Sequence, residues 1–289
     1  MKILCLLVRF GENHHPEARQ ELAAWYERHG AGLDVTFWVL DNSLSPDSIP
    51  RHEDGRTWIR AGDNRAWEFS AWARALHEAE SEGVAYDVVH FVTSSFNTLY
   101  TGYLDHFSPP MLEMVLQKGI GLGHIDGHPK GFRLQDREFK SWIRTCFFFL
   151  ARSTARSVTE WAHFRATDRF FSHADAATFR PDAPLSPAYR EHLAAWLTGA
   201  EIGGHRWHSP VGAGEAEIRR FQSKVLAIIN EHRLSLHLRE IGVPLVDFCW
   251  LHLQGVAANS DTPRIVAENE QLVVRRRHLG IPEPGSEGA

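Results

Sequence analysis

The sequence lacks the short motifs that mark the common nucleotide-binding and hydrolytic folds. It contains no GxxxxGKS or GxxxxGKT phosphate loop, and no GxGxxG follows its first apolar run. These absences argue against P-loop nucleotide hydrolysis and against Rossmann dinucleotide binding. It also contains no GxSxG elbow and no HExxH pair. The usual serine hydrolases and zinc proteases are therefore not predicted.

Cysteines and long apolar runs are also scarce. Cys5, Cys146 and Cys249 each lie in an apolar run, far apart in sequence, which predicts buried free thiols in a reducing compartment rather than disulfides or a zinc site. No run reaches the length of about 18–20 apolar residues that a membrane span needs. The apolar start, MKILCLLVRF, is followed by GENHH rather than by small residues that a signal peptidase would cleave, so a first strand is predicted. We therefore expect a cytoplasmic protein.

Charge gives no indication of a nucleic-acid partner. The formal net charge is −5 over 289 residues, whereas nucleic-acid-binding domains are typically basic. What the sequence has instead is an ordinary globular balance, with 43% hydrophobic and 23% charged residues.

Strand and helix patterns alternate through the first half of the chain. Apolar runs at 2–10, 33–43, 56–62 and 86–97 predict buried strands, and the segments 15–30 and 68–76 predict amphipathic helices. Repeated strand–helix units predict an α/β fold with an open, mostly parallel sheet and flanking helices.

The second half predicts mainly helices. Residues 109–128 predict a helix, a turn at Gly119 and a glycine-rich strand or loop, and residues 137–164 predict helices with Arg144 on a polar position. Further helices are predicted at 186–199 and 215–242. The simplest division is an α/β region at 1–155, a helical region of the same domain at 156–281, and a disordered tail at 282–289.

Polar clusters follow the predicted strands, at the edge where ligands bind in open α/β sheets. The candidate binding residues in these clusters are Arg9, Asp41, Asn42, Asn64, Arg65, Thr93, Ser94, Ser95 and Asn97. Asp41 and Asn42 fit either an Asx turn or recognition of a base or ribose. Arg65 opposes the helix dipole unless an anion binds there. The hydroxyls at 93–95 either satisfy backbone groups or bind a diphosphate or sugar.

The segment GHIDGHP places His124, Asp126 and His128 at alternating positions. Residues at that spacing share one side of an extended segment, so they could form a metal site or simply lie in a solvated loop. Asp126 is also a candidate general base for a hydroxyl nucleophile, with Asp136 and Glu160 as further candidates.

The order of these motifs resembles the bacterial GT-A-fold glycosyltransferases of polysaccharide and lipopolysaccharide assembly, of the GT2-like and rhamnan-synthesis-protein type. The likeness rests on four segments: WVLDNS (38–43), GDNRAWEFSAW (62–72), YDVVHFVTSSFN (86–97) and SWIRTCFFFLAR (141–152). It implies a nucleotide-sugar donor at the strand ends, with Asp41 at the base or ribose and with Asn64 and Arg65 at the diphosphate.

One departure concerns the metal. Where the family usually carries an aspartate for a divalent cation, this chain has Thr93-Ser94-Ser95. A carboxylate there normally holds Mg²⁺ or Mn²⁺ against the diphosphate. Three explanations stay open: Asn97 or Asp126 helps to hold the cation, arginines replace it, or catalysis has been lost.

The resemblance thus implies a cytoplasmic glycosyltransferase of surface-polysaccharide assembly that acts on a glycan or lipid-linked acceptor. Such an acceptor would allow peripheral association with the inner face of the membrane. The alternative hypothesis is a non-catalytic protein that binds nucleotides or carbohydrates. A third is a metal-dependent hydrolase that uses His124, Asp126 and His128.

Overall fold

The sheet and its helices are described from the computed structural model of the chain. It describes residues 1–98, 101–160, 164, 166–172, 178–202, 206–207, 209–212, 214–256 and 263–279. The strands in these ranges are β1 Lys2–Arg9, β2 Asp34–Asp41, β3 Arg51–Asp54, β4 Thr57–Ala61, β5 Val88–Thr93, β6 Gly121–Leu134, β7 Arg137–Ala151 and β8 Leu245–Asp247. The helices are α1 Ala18–His29, α2 Trp67–Ser81, α3 Pro110–Lys118, α4 Arg152–Glu160, α5 Pro187–Leu197, α6 Glu215–Glu240, α7 Phe248–Leu253 and α8 Glu268–Leu279.

The strands of these ranges form one open sheet in the order β3-β4-β2-β1-β5-β7-β6-β8. Strands β4, β2, β1 and β5 run parallel to one another, and β8 runs parallel to β6. Strand β7 lies antiparallel between β5 and β6, and β3 is an antiparallel edge strand. The predicted α/β class, with an open, mostly parallel, GT-A-like sheet, is confirmed.

Helices cover both faces of the sheet. Side chains of α1, α3 and α7 pack on one face, where Trp25 and Trp250 lie in the core. Side chains of α2, α4 and α6 pack on the other face, where Trp72 and Phe148 meet. A third apolar cluster joins the protruding ends of β6 and β7 to α5 and to the first half of α6. Burial on both faces explains the continuous apolar runs of the central strands.

The helix prediction for residues 137–151 is wrong, because this segment is the 15-residue strand β7. Its buried residues alternate with partly exposed ones from Phe139 to Phe147, which is the period of a strand with one covered face. From Phe147 to Ala151 every residue is buried, as expected where the strand runs through the centre of the sheet. Aromatic and β-branched side chains favour this conformation.

The ladder between β6 and β7 is irregular at the place where the sheet reaches its carboxyl edge. Gly123 pairs with Phe148, but Ile125 pairs with Ile143, so β7 carries extra residues between these two pairs. Such a bulge leaves backbone N–H groups without a ladder partner. Two side chains of α6 accept from them: Ser235 Oγ from Ile143 N at 3.0 Å, and Glu231 Oε2 from Thr145 N at 2.9 Å.

The later part of the chain contributes more than helices. Strand β8 pairs with β6 and extends the sheet, and the predicted region boundary at residue 155 falls inside α4. The region predicted as one helix or a helix pair is the single 26-residue helix α6. Among the described helices, none is long and apolar enough to span a bilayer. The predicted tail at 282–289 lies outside the described residues.

Candidate functional site

The carboxyl ends of neighbouring strands form one continuous row across the sheet. Asp41 of β2 pairs with Ala61 of β4 on one side and with Arg9 of β1 on the other. Val8 pairs with Thr93 of β5, and Val92 pairs with Phe147 of β7. Because adjacent strands lie about 4.8 Å apart, these ends fall within a few strand spacings of one another. The predicted binding segments therefore share one edge.

Asp41 fixes the loops at the centre of this edge. Its buried carboxylate accepts from Arg9 Nε at 2.8 Å, from Gly11 N at 2.9 Å, and from the backbone N and hydroxyl of Ser43 at 3.0 and 2.7 Å. Burial opposes its ionisation, but the bonds from Ser43 and Gly11 and the charge of Arg9 outweigh it, so the pKa of Asp41 is lowered. Both oxygens are thus engaged. Asp41 organises the loops, and Ser43 is the exposed neighbour that a ligand would meet.

Asn42 ties the end of β2 to the end of β4. Its Nδ2 atom lies 3.3 Å from Asn64 Oδ1 and 3.3 Å from the carbonyl oxygen of Trp67. The side chain crosses directly over Gly62, where an added Cβ would lie 2.0 Å from Asn42 Oδ1. Any larger residue at 62 would therefore displace Asn42, and this explains the turn glycine before α2.

The charge of Arg65 has a partner within the same loop. Asp63 accepts from the backbone N of Arg65 at 3.0 Å, which caps the short 3-10 turn Asn64–Ala66. The guanidinium of Arg65 also donates to both carboxylate oxygens of Asp63. The charge of Arg65 is therefore balanced without a bound anion, and the argument that its position demanded one is wrong. Asn64 and Arg65 are nevertheless both exposed at this edge.

The hydroxyl segment after β5 lies beside β7. Thr93 Oγ1 and Ser95 Oγ are 3.2 Å apart, and Ser94 N donates to the carbonyl of Val8 at 2.8 Å. Ser95 and Asn97 are exposed, whereas Phe96 between them is buried and anchors the loop. The hydroxyls therefore border the edge as neutral groups.

The bulge of β7 places an arginine against the candidate base Asp126. Arg144 Nε donates to Asp126 Oδ2 at 2.7 Å, and His124 Nε2 lies 3.5 Å from Asp126 Oδ1. Burial opposes ionisation of Asp126, but the charge of Arg144 and the contact with His124 outweigh it, so its pKa lies far below the usual range. A carboxylate held ionised in this way is a weak base. Its chemistry suits electrostatic positioning better than proton abstraction.

Behind Asp126 lies a fully buried carboxylate that the sequence did not single out. Asp247, at the end of β8, caps α7 by accepting from Trp250 N at 3.1 Å and also accepts from Ile125 N at 2.9 Å. Arg275 of α8 donates to Asp247 Oδ2 at 2.6 Å, and the same nitrogen lies 3.0 Å from His124 Nδ1. The ring of His124 stacks on Tyr103 at 4.6 Å.

Three groups in this region could hold a metal ion. One donor atom each of His124, Asp247 and Cys249 lies within 4.8 Å of the other two. This donor set does not fit Mg²⁺ or Mn²⁺, because those cations prefer oxygen ligands, whereas imidazole and thiol favour zinc-like metals. Burial also raises the pKa of Cys249 to about 12, so the thiol keeps its proton. Arg275 already supplies the positive charge beside Asp247.

Two glutamates, Glu68 and Glu231, lie near Thr145, on the face of the β7 bulge opposite Asp126. Glu231 Oε2 of α6 accepts from Thr145 Oγ1 at 2.7 Å as well as from Thr145 N. Glu68, in the first turn of α2, interacts with the Thr145 side chain and with Glu231. Burial and the charge of Glu231 raise the pKa of Glu68 to about 7, and burial also raises the pKa of Glu231. A carboxylic acid that titrates near neutral pH is suited to acid–base work.

The backbone that presents Glu68 is unusual. Trp67 has φ 56° and ψ −131°, a conformation that costs a non-glycine residue about 1–3 kcal/mol. Its indole ring lies under Lys224 Nζ of α6 at 4.4 Å, and its carbonyl binds Asn42. Asn42 and Lys224 thus hold the junction between β4 and α2 from two sides, and Glu68 follows this junction directly.

The remaining predicted residues lie elsewhere. Asp136 is exposed in the turn between β6 and β7, beside Arg137 at 3.8 Å, at the far end of the hairpin from Asp126. His128 stacks on Phe132 at 4.4 Å and so does not join His124 and Asp126. Its departure follows from the irregular ladder after Gly127, which breaks the alternation of faces. Glu160 ends α4, and its side chain lies outside the described part of the chain.

Sequence reasoning missed Glu68, Glu231, Asp247 and Arg275 as site residues. Glu68 is the first residue of the predicted helix 68–76, and Glu231 lies in the ordinary amphipathic pattern of a predicted helix. Asp247 follows a short apolar run, VPLVDF, which is a usable signal for a strand end. Nothing in the sequence around Arg275, within RRRH, separates it from its exposed neighbours.

The similarity of the chain to known proteins is weak. No protein-family profile matches the chain, and no curated protein matches it. Among solved structures, the chain is similar to the crystal structure of 4-diphosphocytidyl-2C-methyl-D-erythritol synthase. The match covers 56% of this chain and 80% of that chain, with 11% sequence identity and a TM-score of 0.34. At this level the activity of that synthase is not transferred to this chain.

Proposed function

We propose that this protein is a glycosyltransferase that binds a nucleotide-sugar donor at the carboxyl edge of β1, β2, β4 and β5. One observation supports this most: the ends of four adjacent parallel strands place exposed neutral and basic groups around loops that Asp41 fixes. The exposed groups are Ser43, Asn64, Arg65, Ser95 and Asn97. Amides and hydroxyls suit a base, ribose or sugar, and a guanidinium suits a diphosphate.

The proposed reaction transfers the sugar to a hydroxyl of a glycan or lipid-linked acceptor, as in surface-polysaccharide assembly. The acceptor oxygen attacks the anomeric carbon, its proton passes to a carboxylate, and the nucleoside diphosphate leaves. Arg65 is the proposed cation at the diphosphate, since it is an exposed basic group of this edge and could exchange Asp63 for a phosphate. A divalent cation, Mg²⁺ or Mn²⁺, could also bind the diphosphate, and binding measured with and without the cation tests this.

The test is a thermal-shift and calorimetric screen of the full chain against UDP, GDP, CDP, dTDP and their sugars, with and without Mg²⁺ or Mn²⁺. At 100 times Kd, binding stabilises a fold by about 2.7 kcal/mol, which a thermal shift resolves. Arg65→Ala should weaken binding of the stabilising nucleotide by about tenfold, the loss of one exposed charge contact. Arg56→Ala is the matched control, because Arg56 is an exposed arginine next to the opposite end of β4. Failure of every nucleotide to bind would refute the donor site.

A non-catalytic nucleotide- or carbohydrate-binding protein is the second candidate. Two observations favour it: neutral residues stand at 93–95, and the nearby carboxylates Asp126 and Asp247 are each paired with an arginine. The two candidates differ in turnover. Release of nucleoside diphosphate in molar excess over protein, from the sugar found in the screen, would support the transferase and reject the binding protein.

A further inference from the structure

The acid–base group of the proposed reaction must lie close to the donor edge and must exchange a proton near neutral pH. The predicted base Asp126 meets the first condition but is ion-paired with Arg144, and Asp136 meets neither, since it lies exposed at the hairpin tip. A group that meets both conditions lies across β7 from Asp126.

We infer that Glu68 and Glu231, joined through Thr145 at the β7 bulge, are the carboxyl pair that takes the proton of the acceptor hydroxyl. This inference rests on the proposed function. In the step, the acceptor O–H bond breaks and its proton goes to the carboxylate of the pair. The acceptor oxygen forms a bond to the anomeric carbon, and the bond from that carbon to the phosphate oxygen breaks, its electron pair leaving with the nucleoside diphosphate.

Position is the first argument for the pair. Glu68 lies three residues after Arg65 of the donor edge and directly after Trp67, whose carbonyl accepts from Asn42 of the same edge. Glu231 lies in the middle of α6, whose first half packs against α5 and the β6–β7 hairpin. The pair therefore joins the start of α2, next to the strand ends proposed to hold the donor, to helix α6.

Hydrogen bonding divides the pair into two unequal members. Glu231 accepts from both the backbone N and the hydroxyl of Thr145, at 2.9 and 2.7 Å, and such bonds favour its ionised form. Glu68 is half-buried and interacts with the charge of Glu231. Ionising both carboxyl groups in a poorly solvated place is unfavourable, so the charge of Glu231 favours the protonated form of Glu68.

The charges around the pair are of both signs. Lys224 of α6 lies near Glu68 and over the Trp67 ring. On the side of Glu231, Asp126 of β6 opposes a second negative charge and Arg144 of β7 favours it. These opposing contributions keep the pair from being either fully ionised or permanently protonated, and burial then sets the titration near neutral pH.

The experiment combines a titration with turnover, both on the full-length chain. Carbon-13 NMR of glutamate labelled at the side-chain carboxyl carbon should show one signal that titrates near pH 7. Glu68→Gln should remove it, whereas Glu215→Gln, at an exposed i,i+4 pair at the start of α6, should leave it in place. In Glu231→Gln the amide oxygen can still accept from Thr145, so folding is preserved and the signal of Glu68 should move to lower pH.

Turnover is measured as nucleoside diphosphate release from the nucleotide sugar that binds in the screen. Glu68→Gln should lower the rate by about 10²–10⁴-fold, the usual contribution of acid–base catalysis, and leave the donor Kd unchanged. The wild-type rate should rise through pH 7, and the residual rate of the variant should not. A structural role alone would change stability without removing this pH dependence.

Three results would overturn the inference. The first is the absence of any glutamate that titrates between pH 6 and 8, which leaves the donor site intact. The second is turnover within threefold of wild type in both glutamine variants. The third is a wild-type protein that binds no nucleotide sugar, in which case the proposed function fails first and the catalytic role with it.

Discussion

At the ends of β1, β2 and β4, one buried carboxylate, Asp41, anchors loops whose remaining polar groups are exposed and largely neutral. At the bulge between β6 and β7 and at the end of β8, two carboxylates, Asp126 and Asp247, are each paired with an arginine from another strand or helix. The two regions are parts of the same sheet edge. Under the proposed function, the exposed groups recognise the ligand, and the buried or partly buried ion pairs form a fixed electrostatic framework beneath it.

The largest effect should come from breaking the buried pair of the second region. Arg275→Leu leaves the fully buried charge of Asp247 without its guanidinium, so the free energy of unfolding should fall by about 3–5 kcal/mol. Urea unfolding measures this loss. Arg277→Leu, at an exposed position of the same helix, is the control and should change stability little.

The double variant Asp247→Asn with Arg275→Leu sharpens this test. It removes both charges and should recover part of the lost stability. If Arg275→Leu lowered the free energy of unfolding by less than about 1 kcal/mol, the ion pair of Asp247 and Arg275 would contribute no more than an exposed pair, and the contrast between the two regions would be wrong.

The next largest effect concerns the loop scaffold of the first region. In Gly62→Ala the new methyl group would overlap Asn42 Oδ1, so stability should fall by about 1–3 kcal/mol. Nucleotide binding should weaken as well, because Asn42 positions Asn64. Gly55→Ala is the matched control, since an added Cβ there meets no atom within 4 Å. Equal stabilities of the two variants would contradict the close packing at Gly62.

A smaller, pH-dependent effect should follow from Glu68→Gln. Glu68 has its pKa raised from 4.5 to about 7 in the folded chain, so folding favours its protonated form. Its stabilising contribution is complete below pH 4.5 and is lost as the pH rises through 7. The variant should therefore match wild type at pH 4. At pH 8 it should exceed wild type by about 1–2 kcal/mol, because the roughly 3 kcal/mol of the full pKa shift is reduced by the partial exposure of Glu68. Urea midpoints at the two pH values measure this, and a variant less stable at pH 8 would contradict it.

The smallest effects should come from the pair of Asp63 and Arg65, just before α2. Asp63→Ala removes the cap of the 3-10 turn and should cost about 1 kcal/mol. Arg65→Ala should leave the urea midpoint unchanged, because its guanidinium is exposed, while nucleotide binding weakens. If Arg65→Ala instead destabilised the fold and left binding unaltered, Arg65 would belong to the framework rather than to the ligand-binding loops.

The first region could be predicted from the sequence because its information is local. Each of its parallel strands is a continuous apolar run that ends in a polar turn, so the strand and its candidate residues are read together, as in WVLDNS. The edge strand β3 could not be predicted, because its four residues Arg51–Asp54 are exposed and have no apolar pattern.

The second region could not be predicted because its contacts join distant segments. SWIRTCFFFLA contains arginine and apolar residues at spacings that fit a helix as well as a strand, and only pairing with β5 and β6 decides between them. Asp247 meets Ile125 across 122 residues, and Arg275 meets His124 across 151. Glu231 meets Thr145 across 86 residues only because α6 covers the bulge.

Strand β8 sets the order in which the chain can assemble during synthesis. Strands β1, β2, β4 and β5 are all complete by residue 93, whereas β8, which pairs with the outer edge of β6, ends at residue 247. At a ribosomal rate of about 5–20 residues per second, the 122 residues between Ile125 and Asp247 take roughly 6–24 seconds to emerge. During that interval the outer edge of β6 presents unpaired backbone groups, an edge at which strands of other chains can pair.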